Sequence, residues 1–251
     1  MSDMNSGPDN PPSFPPPPPP SPSANFYVGS VAPRESVGVG LAKWTYGLMI
    51  ATGIAAALRG VLALAVNQSM NEFLDTFSDE ALDDFASRVD AYDGVDGVYG
   101  LLTLATFVLL IIFSFRSYKA SQSLWNGPRK WSRGFSVGGW FIPFANFYIP
   151  PSLLIETDKI SRAPRSNGVV GDGWRALNRD NAFILWFALY GVGLAVASRI
   201  SSFDDAVDDF QDISDRLVTG AIGNGVICAG CIVGALALKG MAARLSPEEI
   251  G

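Results

Sequence analysis

Apolar residues gather in four runs of about 20, and the polar residues fall between them in blocks. The runs cover residues 44–66, 98–115, 181–198 and 217–238. Each can cross a hydrocarbon core roughly 30 Å thick as a helix. The pattern predicts an all-α polytopic membrane protein, with four transmembrane helices arranged as two hairpins. Within the first run Thr52, Gly53, Ala56, Gly60 and Ala63 recur every three or four residues. Such a small-residue stripe lets helices approach closely in lipid, where apolar burial drives no association. Gly220, Gly223, Gly230 and Gly234 do the same in the last run, which also holds Asn224, a polar group suited to an interhelical hydrogen bond.

Two acidic segments follow the first and third runs. In residues 67–97, Met70, Phe73, Phe77, Ala81, Phe85, Val89 and Tyr92 keep a helical period, and Ser69 with Glu72 reads as a capping box opening a separate outer helix. Residues 199–216 are similar, and Asp205–Phe210 (D-A-V-D-D-F) echoes Glu80–Phe85 (E-A-L-D-D-F). The echo points to an internal duplication with both halves in one orientation. Asp90, Asp93 and Asp96 lack the order and distal glutamate of a calcium loop and read as a solvated helix end.

A fifth apolar stretch, 133–163, is broken by Pro143, Pro150 and Pro151. Between 116 and 180 there are ten bases and four acids. If 140–155 crossed the bilayer, half of those bases would lie outside; if it does not, all ten are cytoplasmic, as the positive-inside rule prefers. The expected arrangement is therefore a proline-broken segment on the cytoplasmic side, either re-entrant or interfacial. Pro150 and Pro151 then start a short helix. On it Leu153, Leu154, Thr157 and Ile160 share a face, while Glu156 with Lys159 and Asp158 with Arg162 fall at pairing distance on the other. That helix is expected to lie along the inner surface, its bases favouring anionic lipid.

The domain plan that follows has a disordered, proline-rich cytoplasmic tail over 1–40 and a membrane domain over 41–251. The latter divides into a first hairpin (44–115), a basic cytoplasmic loop (116–180) and a second hairpin (181–251). Pro15 to Pro20 is unbroken proline, which favours polyproline II and builds no core. With this tail ahead of the first apolar run, that run is expected to direct insertion into the cell membrane, leaving both termini cytoplasmic.

The central stretch also carries a resemblance. Trp131, Gly139-Trp140-Phe141-Ile142-Pro143, Asn146, Pro150 and Glu156 resemble the motif of an actinobacterial membrane family, the domain of unknown function numbered 4328. The resemblance extends over about residues 45–240. It implies paired spans on either side of the motif, with Gly139, Trp140, Pro143, Asn146, Pro150 and Glu156 as its structural core. The family has no assigned activity.

Composition narrows the chemistry. The net charge of −6 is sorted by side, with acids in the outer segments and bases in the central loop beside the spans, which excludes nucleic acid as a partner. There is no histidine, so histidine catalysis and histidine metal sites are out. The two cysteines, Cys228 and Cys231, have C-x-x-C spacing but sit mid-span with no base to lower a thiol pKa, and read as packing. No catalytic residue, cofactor site or metal site is expected. Arg59 lies inside the first run, where it either serves a permeation path or reaches headgroups or a loop carboxylate. The expected function is a non-enzymatic envelope scaffold or interaction protein, with lipid, a second copy or other membrane proteins as partners. The alternative, a small transporter or channel subunit working as an oligomer, draws on Arg59, Asn224 and the echo.

Overall fold

The computed structural model describes residues 36–166, 168–198 and 210–246. The proline-rich stretch up to residue 35 lies outside that set, as do residues 205–209 of the second acidic echo. Val37 is buried and the first helix starts at Val39, so residues 36–40 belong to the packed body rather than to the tail.

Six α-helices carry the architecture: α1 (Val39–Thr76), α2 (Asp79–Leu124), the single turn α3 (Phe135–Gly138), α4 (Ile149–Arg162), α5 (Asn181–Ala197) and α6 (Phe210–Leu245). A two-residue strand pair, Arg165–Ser166 with Val169–Val170, is the only departure from helix-and-loop among the described residues. Three helices, α1, α2 and α6, are long and apolar enough to cross a membrane, while α5 is a shorter apolar helix of 17 residues. All four expose large aliphatic side chains: Ile54 and Val61 on α1, Leu101 and Leu104 on α2, Val192 on α5, Ile222 and Leu236 on α6. A belt of this kind on every helix is what hydrocarbon, not water, tolerates.

The helices run well past the apolar runs. The helical period in 67–97 is real, but it belongs to the spans themselves: α1 continues to Thr76 and α2 begins at Asp79, with no third outer helix between them. The expected capping box at Ser69 and Glu72 does not form. Ser69 is buried within α1, its hydroxyl donating to the Val66 carbonyl at 3.1 Å. The break falls instead at Phe77, whose φ of 47° is left-handed, and Ser78 caps α2 by accepting from the Ala81 amide at 3.2 Å. A non-glycine residue there is uncommon, and a cap hydroxyl satisfies one of the helix's orphan N–H groups.

In cross-section α1 and α6 form the central pair, α2 packs on α1, and α5 packs on α6. The glycine stripes make this possible. A Cβ on Gly53 would stand 2.9 Å from Cβ of Cys231, and one on Gly60 would stand 3.1 Å from the Ala221 carbonyl, so α1 meets α6 almost backbone to backbone. Across the other face of α6, a Cβ on Gly223 would lie 2.4 Å from the Ala197 nitrogen and one on Gly193 2.8 Å from the Ile227 nitrogen. Between α1 and α2, the Thr52 and Thr106 hydroxyls share a buried hydrogen bond at 2.9 Å. A duplication related by a two-fold axis would pair α2 with α5 as closely as α1 with α6. Here α2 and α5 pack far less closely than α1 and α6, so the packing gives that duplication no support.

At the opposite end from the acidic hairpin tip, α4 is held against α2, α5 and α6. Leu153, Leu154, Thr157 and Ile160 are buried on one face as the sequence predicts, and Pro150 and Pro151 open the helix. The other face departs from expectation. Glu156 and Asp158 are buried, not solvated, because arginines from distant parts of the chain come to meet them. Asp158, fully buried, accepts from Arg162 Nε at 2.8 Å and from Arg244 Nη2 at 2.5 Å, the latter from the end of α6. Lys159 does not pair with Glu156; its ammonium reaches the Arg175 carbonyl at 3.4 Å. The helix is thus a clamped element of the body rather than a surface float.

Candidate functional site

α2 and α5 meet only sparsely, with Tyr99 and Tyr190 in side-chain hydrogen-bonding contact, and a cleft of about 470 Å³ opens between them, backed by α1 and α6. Its back wall is Met49, Thr52 and Cys231; its flanks are Leu104, Phe107 and Leu110 on α2 and Phe187, Tyr190 and Leu194 on α5. The size and the apolar lining with a few polar groups are those of a small-molecule site. The segment after α3 fills one end of it. Trp140 wedges between the two walls, edge-on to Phe107 at 5.7 Å and tilted against Phe187 at 6.4 Å. Phe107 also takes the edge of Phe141 at 6.3 Å. Trp140, Asn146 and Phe147 line the cavity directly.

The motif residues build this floor. Gly139 sits where a Cβ would meet Ile149 Cγ2 at 2.6 Å and the Phe135 carbonyl at 2.7 Å, so the chain can double back only without a side chain. The Pro143 carbonyl accepts from the Ala145 amide at 2.7 Å, and Ile142 accepts from Asn146 at 3.0 Å, closing the tip. Phe144 at that tip has φ 61° and its ring is almost wholly exposed, with Phe141, Ile142 and Phe147 exposed around it. Pro150 is buried at the start of α4. The Trp140 indole N–H and the Asn146 carbonyl oxygen are buried with no protein partner among the described residues.

Glu156 lies behind the floor, in a second group that no spacing rule could have assembled. It faces Arg129 and takes the Lys130 backbone N–H, while Arg129 donates to Ser121 Oγ at 2.7 Å and lies 4.3 Å over the Tyr118 ring. Burial raises the Glu156 carboxyl above its ordinary value, and Arg129 pulls the other way without cancelling it. Arg129 is itself lowered by burial. Trp131 links this group to the floor: its indole donates to Ser152 at 2.6 Å, and its carbonyl accepts from the Tyr118 hydroxyl at 2.8 Å. The Tyr118 and Arg129 positions carried no motif signal.

The two intramembrane polar candidates lie elsewhere. Arg59 is 2.5 Å from Asp96 and lies near the faces of Tyr92 and Tyr99, bordering a separate outer cavity of about 480 Å³ with Phe73, Phe85 and Ile213. The carboxylate that Arg59 meets is on α2 rather than in a loop. Asn224 is fully buried, but its amide donates within its own helix, to the Gly220 carbonyl at 2.9 Å, and makes no bond across helices among the described residues. Cys228 and Cys231 are free thiols, and Cys231 packs against Gly53.

Neither a curated protein nor a solved structure matches the chain. Residues 80–243 match the family described as Domain of unknown function (DUF4328), a match that takes in α2, the cleft floor, α4, α5 and nearly all of α6. The chain belongs to that family.

Proposed function

We propose that this is a non-enzymatic envelope interaction protein whose partner is lipid, and that the cleft between α2 and α5 holds a hydrocarbon chain drawn from the bilayer. In this reading α1, α2, α5 and α6 are four spans in two hairpins. The central loop and both termini are cytoplasmic, and 140–148 is a re-entrant arm. The observation that carries it is the floor: Trp140, Asn146 and Phe147, from within the family match, line one end of a partly open apolar cavity. Depth supports the arm. Phe107 lies nine residues along α2 from Arg116, roughly 13 Å at 1.5 Å per residue, and Trp140 packs against it. The exposed Phe141, Ile142, Phe144 and Phe147 would face acyl chains there, and α3 and the turns around the tip keep the backbone largely hydrogen-bonded.

A transporter or channel subunit would draw on polar groups lining a path. Arg59 and Asn224 both turn away from the cleft, one to Asp96 and one to its own helix, which favours binding over passage. Native mass spectrometry of the purified protein tests the reading. Wild type should carry a lipid-mass adduct, and Leu104→Trp, which fills the cleft from α2, should lose it. An adduct absent from wild type, or unchanged by the tryptophan, sinks the proposal. A reporter fused near Ser166 should read cytoplasmic, and an outside signal there would overturn the topology.

A further inference from the structure

The cleft has a charged rim as well as an apolar interior. Phe147 lines the cavity, and the next residue, Tyr148, is exposed and holds its hydroxyl against the Lys130 ammonium, which also lies 4.6 Å over the Tyr148 ring. Arg179, two residues before α5, adds a second and weaker positive influence on the same phenol. Lys130 and Arg179 together hold that phenol below its ordinary value, chiefly through the Lys130 bond, which marks a positive potential on an exposed face. Among the described residues neither cation forms an ion pair with a carboxylate. The acids nearby are committed: Asp180 caps α5 by accepting from the Ala182 amide at 2.9 Å, and Glu156 is buried against Arg129. Two cations and a hydroxyl thus stand beside an aromatic step that leads into a hydrocarbon-lined cavity.

We propose that the occupant is an anionic phospholipid of the inner leaflet: its phosphate is held by Lys130, Arg179 and the Tyr148 hydroxyl, and one acyl chain passes Phe147 into the cleft. This rests on the reading above, in which the arm faces the cytoplasmic leaflet. Chain and headgroup are recognised by different residues, so they can be separated. Bases next to an anionic headgroup favour it by about 1 kcal/mol each, or roughly fivefold per cation. An uncharged surface lipid would gain only the chain.

The test is native mass spectrometry in a non-ionic detergent, with phosphatidylglycerol and phosphatidylcholine of the same chains added in equal amounts. Wild type should retain phosphatidylglycerol in at least tenfold preference. The double variant Lys130→Gln/Arg179→Gln should bring it down to the phosphatidylcholine level, Tyr148→Phe should weaken it two- to threefold, and Lys239→Gln at the end of α6 should change nothing. Leu104→Trp should remove both lipids. Equal retention of the two lipids by wild type, or a preference that survives loss of both cations, overturns this proposal and leaves the cleft reading standing. Retention of neither lipid by wild type fails the cleft reading itself. Phosphatidylglycerol bound as tightly by Leu104→Trp as by wild type overturns the chain's place in the cleft. Tyr148 is exposed, so its phenylalanine variant keeps the test open should the double variant not fold.

Discussion

Two glycines on α6 stand two residues apart and should respond to the same substitution with opposite signs. At Gly223 a Cβ would lie 2.4 Å from the Ala197 nitrogen, 2.9 Å from its Cα and 2.9 Å from the Gly193 carbonyl oxygen. All three are backbone atoms of α5, so no side chain can swing aside; α5 and α6 must separate by roughly 1 Å to restore van der Waals contact. That separation loosens the contacts of Gly193 and Gly230 as well, since all three sit in one seam. Overpacking of this kind costs about 1–3 kcal/mol, and alanine's better helix propensity returns less than 1 kcal/mol of it. At Gly225 nothing lies within 4 Å, so only the propensity gain remains. Gly223→Ala should therefore lose about 1 kcal/mol net and Gly225→Ala should gain roughly 0.5–1 kcal/mol. At roughly 2–4 °C per kcal/mol, the first shift is a drop of about 2–4 °C. The assay is thermal unfolding in detergent, read by a maleimide dye on the protein's own thiols. Cys231 is buried on α6 and becomes reactive when the helices part. If Gly223→Ala melts at or above wild type, the backbone-to-backbone seam is wrong; if Gly225→Ala melts well below it, that face is not the open one described.

Asp158→Asn should lose roughly 3 kcal/mol, because Arg162 and Arg244 then converge on an uncharged buried group, whereas Asp172→Asn, at an exposed pair with Arg175, should stay within about 0.5 kcal/mol in the same melt. Thr52→Val should cost about 0.6 kcal/mol, the typical worth of an interhelical hydrogen bond in a membrane, and should not add to Thr106→Val in a double-mutant cycle. The raised Glu156 carboxyl fixes a pH slope: its folded value lies above the unfolded one, so its contribution is most favourable below the ordinary glutamate range and declines as pH rises through the raised value. Glu156→Gln should flatten stability against pH between the ordinary glutamate range and neutrality, and an unchanged profile would mean the carboxyl is not buried as described.

Sequence pattern located the apolar helices well and their ends poorly, and the reason is local. The helical period of residues 70–92 does not change where the chain leaves the hydrocarbon, so hydrophobicity alone cannot tell a span's extension from a new helix. The cap at Ser78 and the left-handed Phe77 decide it. The α4 helix failed for a different reason. Its apolar face was readable, but charges on the opposite face default to water unless a partner is known, and the partner Arg244 lies 86 residues away. Glu156 and Arg129 are 27 positions apart, a pairing that no periodicity encodes. The motif residues Gly139, Trp140 and Asn146 were visible as a string, but that they floor a cavity depends on α2 and α5 meeting only sparsely, a property of the packing. Asn224 shows the limit of residue type as evidence: a buried amide predicts a hydrogen bond, and the helix's own carbonyl was the nearer acceptor.

The central place of α6 has a consequence for how the protein is made. Among the described helices α1 is made first, yet the helix that meets Gly53 and Gly60 is the last of them. Asp158 must likewise wait 86 residues for Arg244, on the order of 10 s at typical elongation rates. During that interval the glycine stripe of α1 lacks the helix it packs against, and Asp158 is short of its second arginine. A chain stopped before residue 210 would stay that way. The seam around α6 therefore closes only after α6 itself has been made, so the tightest contact in the fold is also one of the latest to form.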